Sequence, residues 1–149
     1  MAKFKMELPT EVMKEVEYLY SNCDDIFGKM TRAGAEVAYK NIVANFPRGF
    51  GDSQIKNNLK VTQTYRTAVD NGINTKVAFY GYFENDKGEV VPAPLVANAF
   101  EYGTRDRISI KGYRGAITKQ PFFRKSFSKR AIRVAMEKAQ EELSRGILK

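Results

Sequence analysis

Phe100-Glu101-Tyr102-Gly103-Thr104, a basic loop, then Gln120-Pro121-Phe122-Phe123-Arg124-Lys125-Ser126-Phe127: this run organises the reading of the chain. Its first segment ends an apolar helical pattern at Gly103, where the backbone is free to turn sharply. Its last segment sets Pro121, with its fixed φ, just ahead of a new helical pattern. Between them, residues 105–119 hold Gly112, Gly115 and the alternating pair Ile108 and Ile110, which predicts a flexible hairpin. Loops of this length in a small domain are usually functional or disordered in isolation. Phe122, Phe123 and Phe127 are expected to pin the following helix onto the sheet, where aromatic burial contributes most.

Downstream, the pattern predicts one helix from about Phe122 to Arg145, spanning ~36 Å. Its apolar stripe is Phe127, Ala131, Val134, Ala135, Ala139, Leu143 and Ile147, and Gly146 is a suitable stop. Upstream, Pro94 suits the first turn of a helix over Leu95–Tyr102, and Pro92 and Pro94 interrupt any strand before it. Asn85-Asp86-Lys87-Gly88 and Asn71-Gly72 predict turns. They bracket the best strand signal, Thr75 to Phe83, with Val77, Phe79, Gly81 and Phe83 on one face. A second alternating run covers Val61 to Thr67, and a helical turn is expected from Ser53 to Leu59.

The N-terminal part predicts two helices. The first covers Pro9 to about Cys23, with Thr10 as cap and Met13, Val16, Leu19 and Tyr20 as its stripe. The second runs from Asp24 or Asp25 to about Asn45, with Ile26, Met30, Ala33, Val37, Ala38 and Ile42 at helical spacing. Gly28 and Gly34 each weaken that helix by ~1 kcal/mol relative to Ala. The expected class is α+β: an antiparallel β-sheet packed by N-terminal helices and a long C-terminal helix, in one domain of 149 residues.

Composition narrows the chemistry. An apolar fraction of 43% and a charged fraction of 28% are globular values, so wholesale disorder is not expected. Cys23 is the one cysteine, which excludes an internal disulfide and a cysteine zinc cluster; a half-buried packing role in a reducing compartment is expected. Histidine is absent, so a Ser-His-Asp site cannot exist. Asp24-Asp25 and Glu141-Glu142 are adjacent pairs that do not face one another on a helix. Phosphate-binding and nucleophile-elbow motifs are missing too. Neither an enzyme nor a cofactor is expected.

No apolar run approaches the ~20 residues of a membrane span, and Met1–Leu8 lacks a signal-peptide core. The expectation is a protein made in the cytoplasm, with no membrane partner.

The net charge of +8 is concentrated. Residues 105–133 hold ten basic side chains against Asp106 alone, a balance of +9, while everything else sums to −1. An anionic partner is implied, either DNA or an acidic protein surface. On the last helix Lys125, Lys129 and Arg133 lie four apart, with Arg130 beside them, as a solvated face also would. Arg48-Gly49-Phe50-Gly51 matches the start of an RNA-recognition signature, but Asp52, Ser53, Gln54 and Ile55 do not continue it. Tyr80 and Tyr82 fit a base-stacking platform or a subunit contact equally well.

In its Glu-aromatic-Gly-Thr segment, its variable loop and its Pro-Phe helix start, the chain resembles the tail-completion or neck (head–tail joining) family of long-tailed bacteriophages. The likeness covers the second half well, and the first half in layout. Phe123 stands where an aliphatic residue is usual, and Lys125-Ser126 replaces the common Pro-Ala. The resemblance implies a non-enzymatic virion protein, assembled in the host cytoplasm as a ring, commonly a hexamer. Its partners would be itself, the tail-tube and head-connector proteins, and DNA passing through the lumen. Phe100, Glu101, Tyr102, Gly103, Thr104, Pro121, Phe122, Phe123 and Phe127 would be anchors. Arg105, Arg107, Ile108, Ile110, Lys111, Tyr113, Arg114 and Lys119 would be loop contacts to the oligomer or a partner. Lys125, Lys129, Arg130 and Arg133 would face DNA or an acidic neighbour. Alternatives are a basic DNA- or RNA-binding accessory protein, or a neighbouring virion ring such as a tail terminator or head-closure protein.

Overall fold

The computed structural model describes residues 9–47, 54–85, 87–110, 112–113 and 115–147. Five α-helices lie among the described residues: α1 (Thr10–Ser21), α2 (Cys23–Ala44), α3 (Ala93–Tyr102), α4 (Phe122–Ser126) and α5 (Lys129–Ile147). Eight short strands complete the described residues: β1 (Leu59–Val61), β2 (Tyr65–Arg66), β3 (Ile73–Asn74), β4 (Val77–Phe79), β5 (Tyr82–Glu84), β6 (Val90–Pro92), β7 (Ile108–Ser109) and β8 (Gly112–Tyr113). The protein is α+β, as expected. Every strand pairing is antiparallel, but hydrogen bonding divides the strands into four two-stranded ladders: β1–β4, β2–β3, β5–β6 and β7–β8.

A single residue separates α1 from α2. The Asn22 N–H donates to Tyr18 O at 3.0 Å and its side-chain Nδ2 to the same oxygen at 2.8 Å, while its own carbonyl accepts the Ile26 N–H at 3.0 Å. Pro9, not Thr10, occupies the cap of α1, and no side chain bonds that end. The stripe expected to bury α1 is open to solvent, because Met13, Val16, Leu19 and Tyr20 are all exposed and α1 has no buried residue. Cys23 is half-buried.

Small residues explain how α2 meets α5. The buried positions of α2 are Gly28, Gly34, Ala35, Ala38 and Ile42. A Cβ on Gly34 would lie 3.0 Å from Ile132 Cγ2 and 3.1 Å from Met136 Cγ, so this glycine is where α5 seats. Its cost in helix propensity is offset by close packing, a role that the sequence reading missed. The contact seam of α5 therefore includes Ile132 and Met136, which the expected stripe omitted, while its member Val134 is exposed. Gly34→Val is expected to lower stability by about 1–3 kcal/mol through overpacking of this seam. Denaturant unfolding monitored by circular dichroism would measure it. Gly34→Ala should cost less, since the gain of ~1 kcal/mol in propensity works against the crowding.

The C-terminal helix is two helices. At the break, Ser128 acts as cap for α5: its carbonyl accepts the Ile132 N–H at 3.0 Å and its Oγ accepts the Ala131 N–H at 3.4 Å. Phe127 sits in the break, outside either helix. Gly146 does not stop α5, which continues to Ile147.

The predicted Thr75–Phe83 strand is also cut in two. Gly81 takes φ 74°, a left-handed value, and turns the chain between β4 and β5. Asn58 Nδ2 braces the corner from outside, donating to Tyr80 O at 2.6 Å and Tyr82 O at 3.2 Å. The run from Val61 to Thr67 is likewise broken into β1 and β2. The turn at Asn71-Gly72 forms as expected, with Asn71 at φ 54° and the Thr67 N–H donating to Gly72 O at 2.9 Å. In the β5–β6 turn, Asn85 Oδ1 accepts the Lys87 N–H at 3.0 Å and the Glu89 N–H at 2.9 Å, and Asp86 lies outside the described residues. A 3-10 turn, Gln54–Asn58, fills most of the expected Ser53–Leu59 segment. Ser53 and the Arg48–Gly51 signature fragment lie outside the described residues. Three residues of strand, Val90–Pro92, do form ahead of α3, with Pro92 at their end.

Ile42, Ile55, Leu59, Phe79, Ala93, Ala97 and Phe122 form the core, which joins α2, β1, β4, α3 and α4. The core thus lies directly beneath both ends of the 105–119 loop.

Candidate functional site

Two segments well separated in sequence meet at the base of the loop, and Glu101 joins them. Pro121 occupies the cap of α4 and has no side-chain donor or acceptor to satisfy the first N–H groups of the helix. Glu101, on the last turn of α3, supplies the missing acceptor from 22 residues away: its Oε2 takes the Phe123 N–H at 2.8 Å. Its Oε1 takes the Arg124 N–H at 3.3 Å and the Arg124 Nε–H at 3.0 Å. This is the bonding of an N-cap residue, carried out by a side chain from another helix, and the positive end of α4 favours the carboxylate. Only 4% of Glu101 is exposed. Burial pushes its carboxyl upward, but the Phe123 N–H, the Arg124 guanidinium and the Arg124 N–H outweigh burial and hold it below the ordinary range. The resemblance names Glu101 as an anchor, and the structure adds that it anchors by accepting two backbone donors and a guanidinium.

The surrounding residues complete the clamp. Arg124 lies over the Tyr102 ring, 4.9 Å from its centroid. The Gln120 N–H donates to Phe100 O at 2.8 Å, and Phe100 packs against the core. Thr104 and Ile117 are tied twice: the Thr104 N–H donates to Ile117 O, and the Ile117 N–H donates to Thr104 Oγ1, each at 2.9 Å. Gly103 takes φ 76° and ψ 169°, a conformation nearly confined to glycine. A Cβ there would lie 3.0 Å from Ile117 O and 3.1 Å from Lys119 N. Gly103→Ala is expected to lower stability by about 2 kcal/mol from the dihedral cost alone. A thermal melt would register it, and an unchanged melting temperature would contradict the tight crossing.

Aromatic rings lock the far side of α4. Phe122 is buried and meets Phe46 edge-on at 5.8 Å and Phe79 at 6.2 Å between centroids. Phe123 bridges outward to Phe127 at 5.3 Å, but Phe127 is exposed and is not the buried anchor expected, because it lies in the break between α4 and α5. Ser126, also buried, donates to Phe122 O at 2.5 Å and accepts from Asn45 Nδ2 at 3.1 Å, which fastens α4 to the end of α2. The sequence marks Ser126 only as a departure from the family pattern and gives no sign of the two asparagines that reach it, Asn41 and Asn45, because a small polar residue carries no periodic signal.

Above the clamp, the loop projects as the β7–β8 hairpin. Ile108, Ile110 and Tyr113 are all exposed, with Arg105, Arg107 and Lys119 exposed around them. Tyr113 donates its hydroxyl to Asp106 Oδ1 at 2.6 Å, which raises the phenol above its usual pKa. Lys111 and Arg114 lie outside the described residues. Lys125, Lys129, Arg130 and Arg133 are exposed, and Arg133 pairs with Glu137 at 2.8 Å. Tyr80 and Tyr82 are exposed on either side of the Gly81 corner.

A cleft of about 480 Å³ lies elsewhere, lined by Asp24, Asp25, Lys29, Arg32, Tyr65 and Arg66 among others. Both of its carboxylates are paired within it. Asp24 pairs with Arg66, whose hydrogen bond holds the aspartate below its ordinary range, and Asp25 pairs with Lys29 at 2.5 Å. Among the described residues there is no cluster of three or more potential metal ligands, and no helix is long and apolar enough to cross a membrane. No family model, curated protein or solved structure matches the chain.

Proposed function

We propose that this chain is a structural, non-enzymatic virion protein that forms a ring at the head–tail junction of a long-tailed bacteriophage, as a tail-completion or neck protein. The observation that carries the reading is the Glu101 clamp. The two segments on which the resemblance rests are bonded to each other, and the loop between them projects as an exposed, basic and apolar hairpin. Such a surface has the composition of an interface, with large apolar side chains beside arginine. Tail-tube and connector proteins would be its neighbours in the virion, and the ring would surround the path of the genome.

Purified virions and negative-stain microscopy test the proposal. The expected result is the chain among virion proteins and a ring, alone or on its tail-tube or connector partner. Absence from virions, with no ring in either setting, overturns it. The exposed Lys125, Lys129 and Arg130 favour a second reading, DNA or RNA binding by a monomer or dimer. That reading requires affinity falling steeply with salt, and negligible binding at ~50 mM salt dismisses it.

A further inference from the structure

We propose that the apolar face of α1 is the seat for the β7–β8 hairpin of a second copy of the chain, so that copies join head to tail. The inference deepens the ring reading above by naming the contact that would build the ring.

The two surfaces are complementary in composition and charge. On a helical wheel, Val12, Met13, Val16, Leu19 and Tyr20 cover an arc of about 120°, with Glu15 at one edge and Glu17 at the other. All five apolar side chains are exposed. The helix itself carries Glu11, Glu15 and Glu17 against Lys14, a net −2, all on its open surface. Asp24 and Asp25, just beyond it, are already matched by Arg66 and Lys29 and add little. The hairpin offers the converse: Ile108, Ile110 and Tyr113, bordered by Arg105 and Arg107, with the one acid between them, Asp106, already bonded to the Tyr113 hydroxyl.

Other occupants fit one surface only. A nucleic acid would neutralise the arginines but leave the isoleucines and the whole α1 stripe in water. An anionic membrane would accept the hairpin, yet it would be repelled by the glutamates beside α1. A second copy covers both apolar surfaces and pairs both charges in one contact. Because the joined patches differ, the contact is heterologous, and such contacts generate a closed ring when the rotation between copies closes.

Sedimentation velocity on the full chain, from micromolar concentration to the solubility limit, tests the contact. One variant reverses α1 (Glu15→Lys with Glu17→Lys) and another reverses the hairpin (Arg105→Glu with Arg107→Glu). Each pair is expected to weaken self-association by about tenfold or more, and the chain carrying all four changes to recover to within about threefold of wild type. The two pair variants, mixed, should co-assemble although neither does alone. A wild-type chain that stays monomeric throughout, or pair variants that associate like wild type, or a four-fold variant that does not recover, each overturns the contact. Circular dichroism checks folding, and Glu15→Gln with Glu17→Gln replaces any reversal that loses helix. A ring indifferent to the reversals would remove this contact and leave the ring reading standing, whereas absence from virions would remove that reading and leave the contact measurable.

Discussion

Glu101→Ala is expected to lower folding stability by about 2–4 kcal/mol, because it leaves the part-buried Phe123 and Arg124 N–H groups without the carboxylate that accepts them. The Phe123 N–H loses its partner at 2.8 Å, and the first turn of α4 loses its cap. Arg124 is 58% exposed and can turn to water, so the damage falls on the backbone donors more than on the guanidinium. Glu101→Gln keeps an acceptor but removes the charge, and should cost about half as much, since charge-assisted bonds are roughly twice as strong as neutral ones. The sign of the pH dependence follows from the lowered carboxyl pKa. Stabilisation is fully present above the unfolded glutamate value of about 4.3 and is lost as pH falls through the lower folded value. Urea titrations of wild type and Glu101→Ala should therefore show a wide gap at neutral pH that narrows in strong acid. A gap of equal width at both ends would rule out the ionised cap.

The second large effect is expected from Phe122→Ala, at about 3–5 kcal/mol. Phe122 touches Phe46, Phe79 and Phe123 and is 4% exposed, so few neighbours can move in to fill its volume. It also lines a cleft of about 270 Å³ bounded by Phe79, Ala97, Glu101 and Phe123, and truncation would open that cleft into the core. For a chain of this size the melting temperature should fall by about 2–4 °C per kcal/mol. A fall of less than a few degrees would mean that α4 is held by Glu101 and Ser126 without its ring.

Much of the architecture was legible because it rests on local chemistry. The turn at Asn71-Gly72, the capping of the Asn85 corner and the bounds of α2 all follow from residues that act on their own neighbours. Periodicity gives the apolar face of α1 but not whether anything covers it, and in the structure that face is open. The breaks at Gly81 and Phe127-Ser128 escaped because a side-chain pattern continues smoothly through a backbone corner. Gly34 looked like a weak point because propensity is a property of one helix, while the reason for the glycine lies on another. At the loop base, the sequence named the residues but not their bonding. A carboxylate that caps a helix across 22 residues of chain leaves no mark in any local window.

The clamp has a consequence for chain length. Because Glu101 and the Thr104–Ile117 pair fix where the loop departs and returns, the body of the domain does not sense how much chain lies between. Doubling such a loop adds only about 0.6 kcal/mol of closure entropy. The hairpin is thus a place where residues can be gained or lost at little thermodynamic cost while α3 and α4 keep their register. The same scaffold can carry loops of different reach.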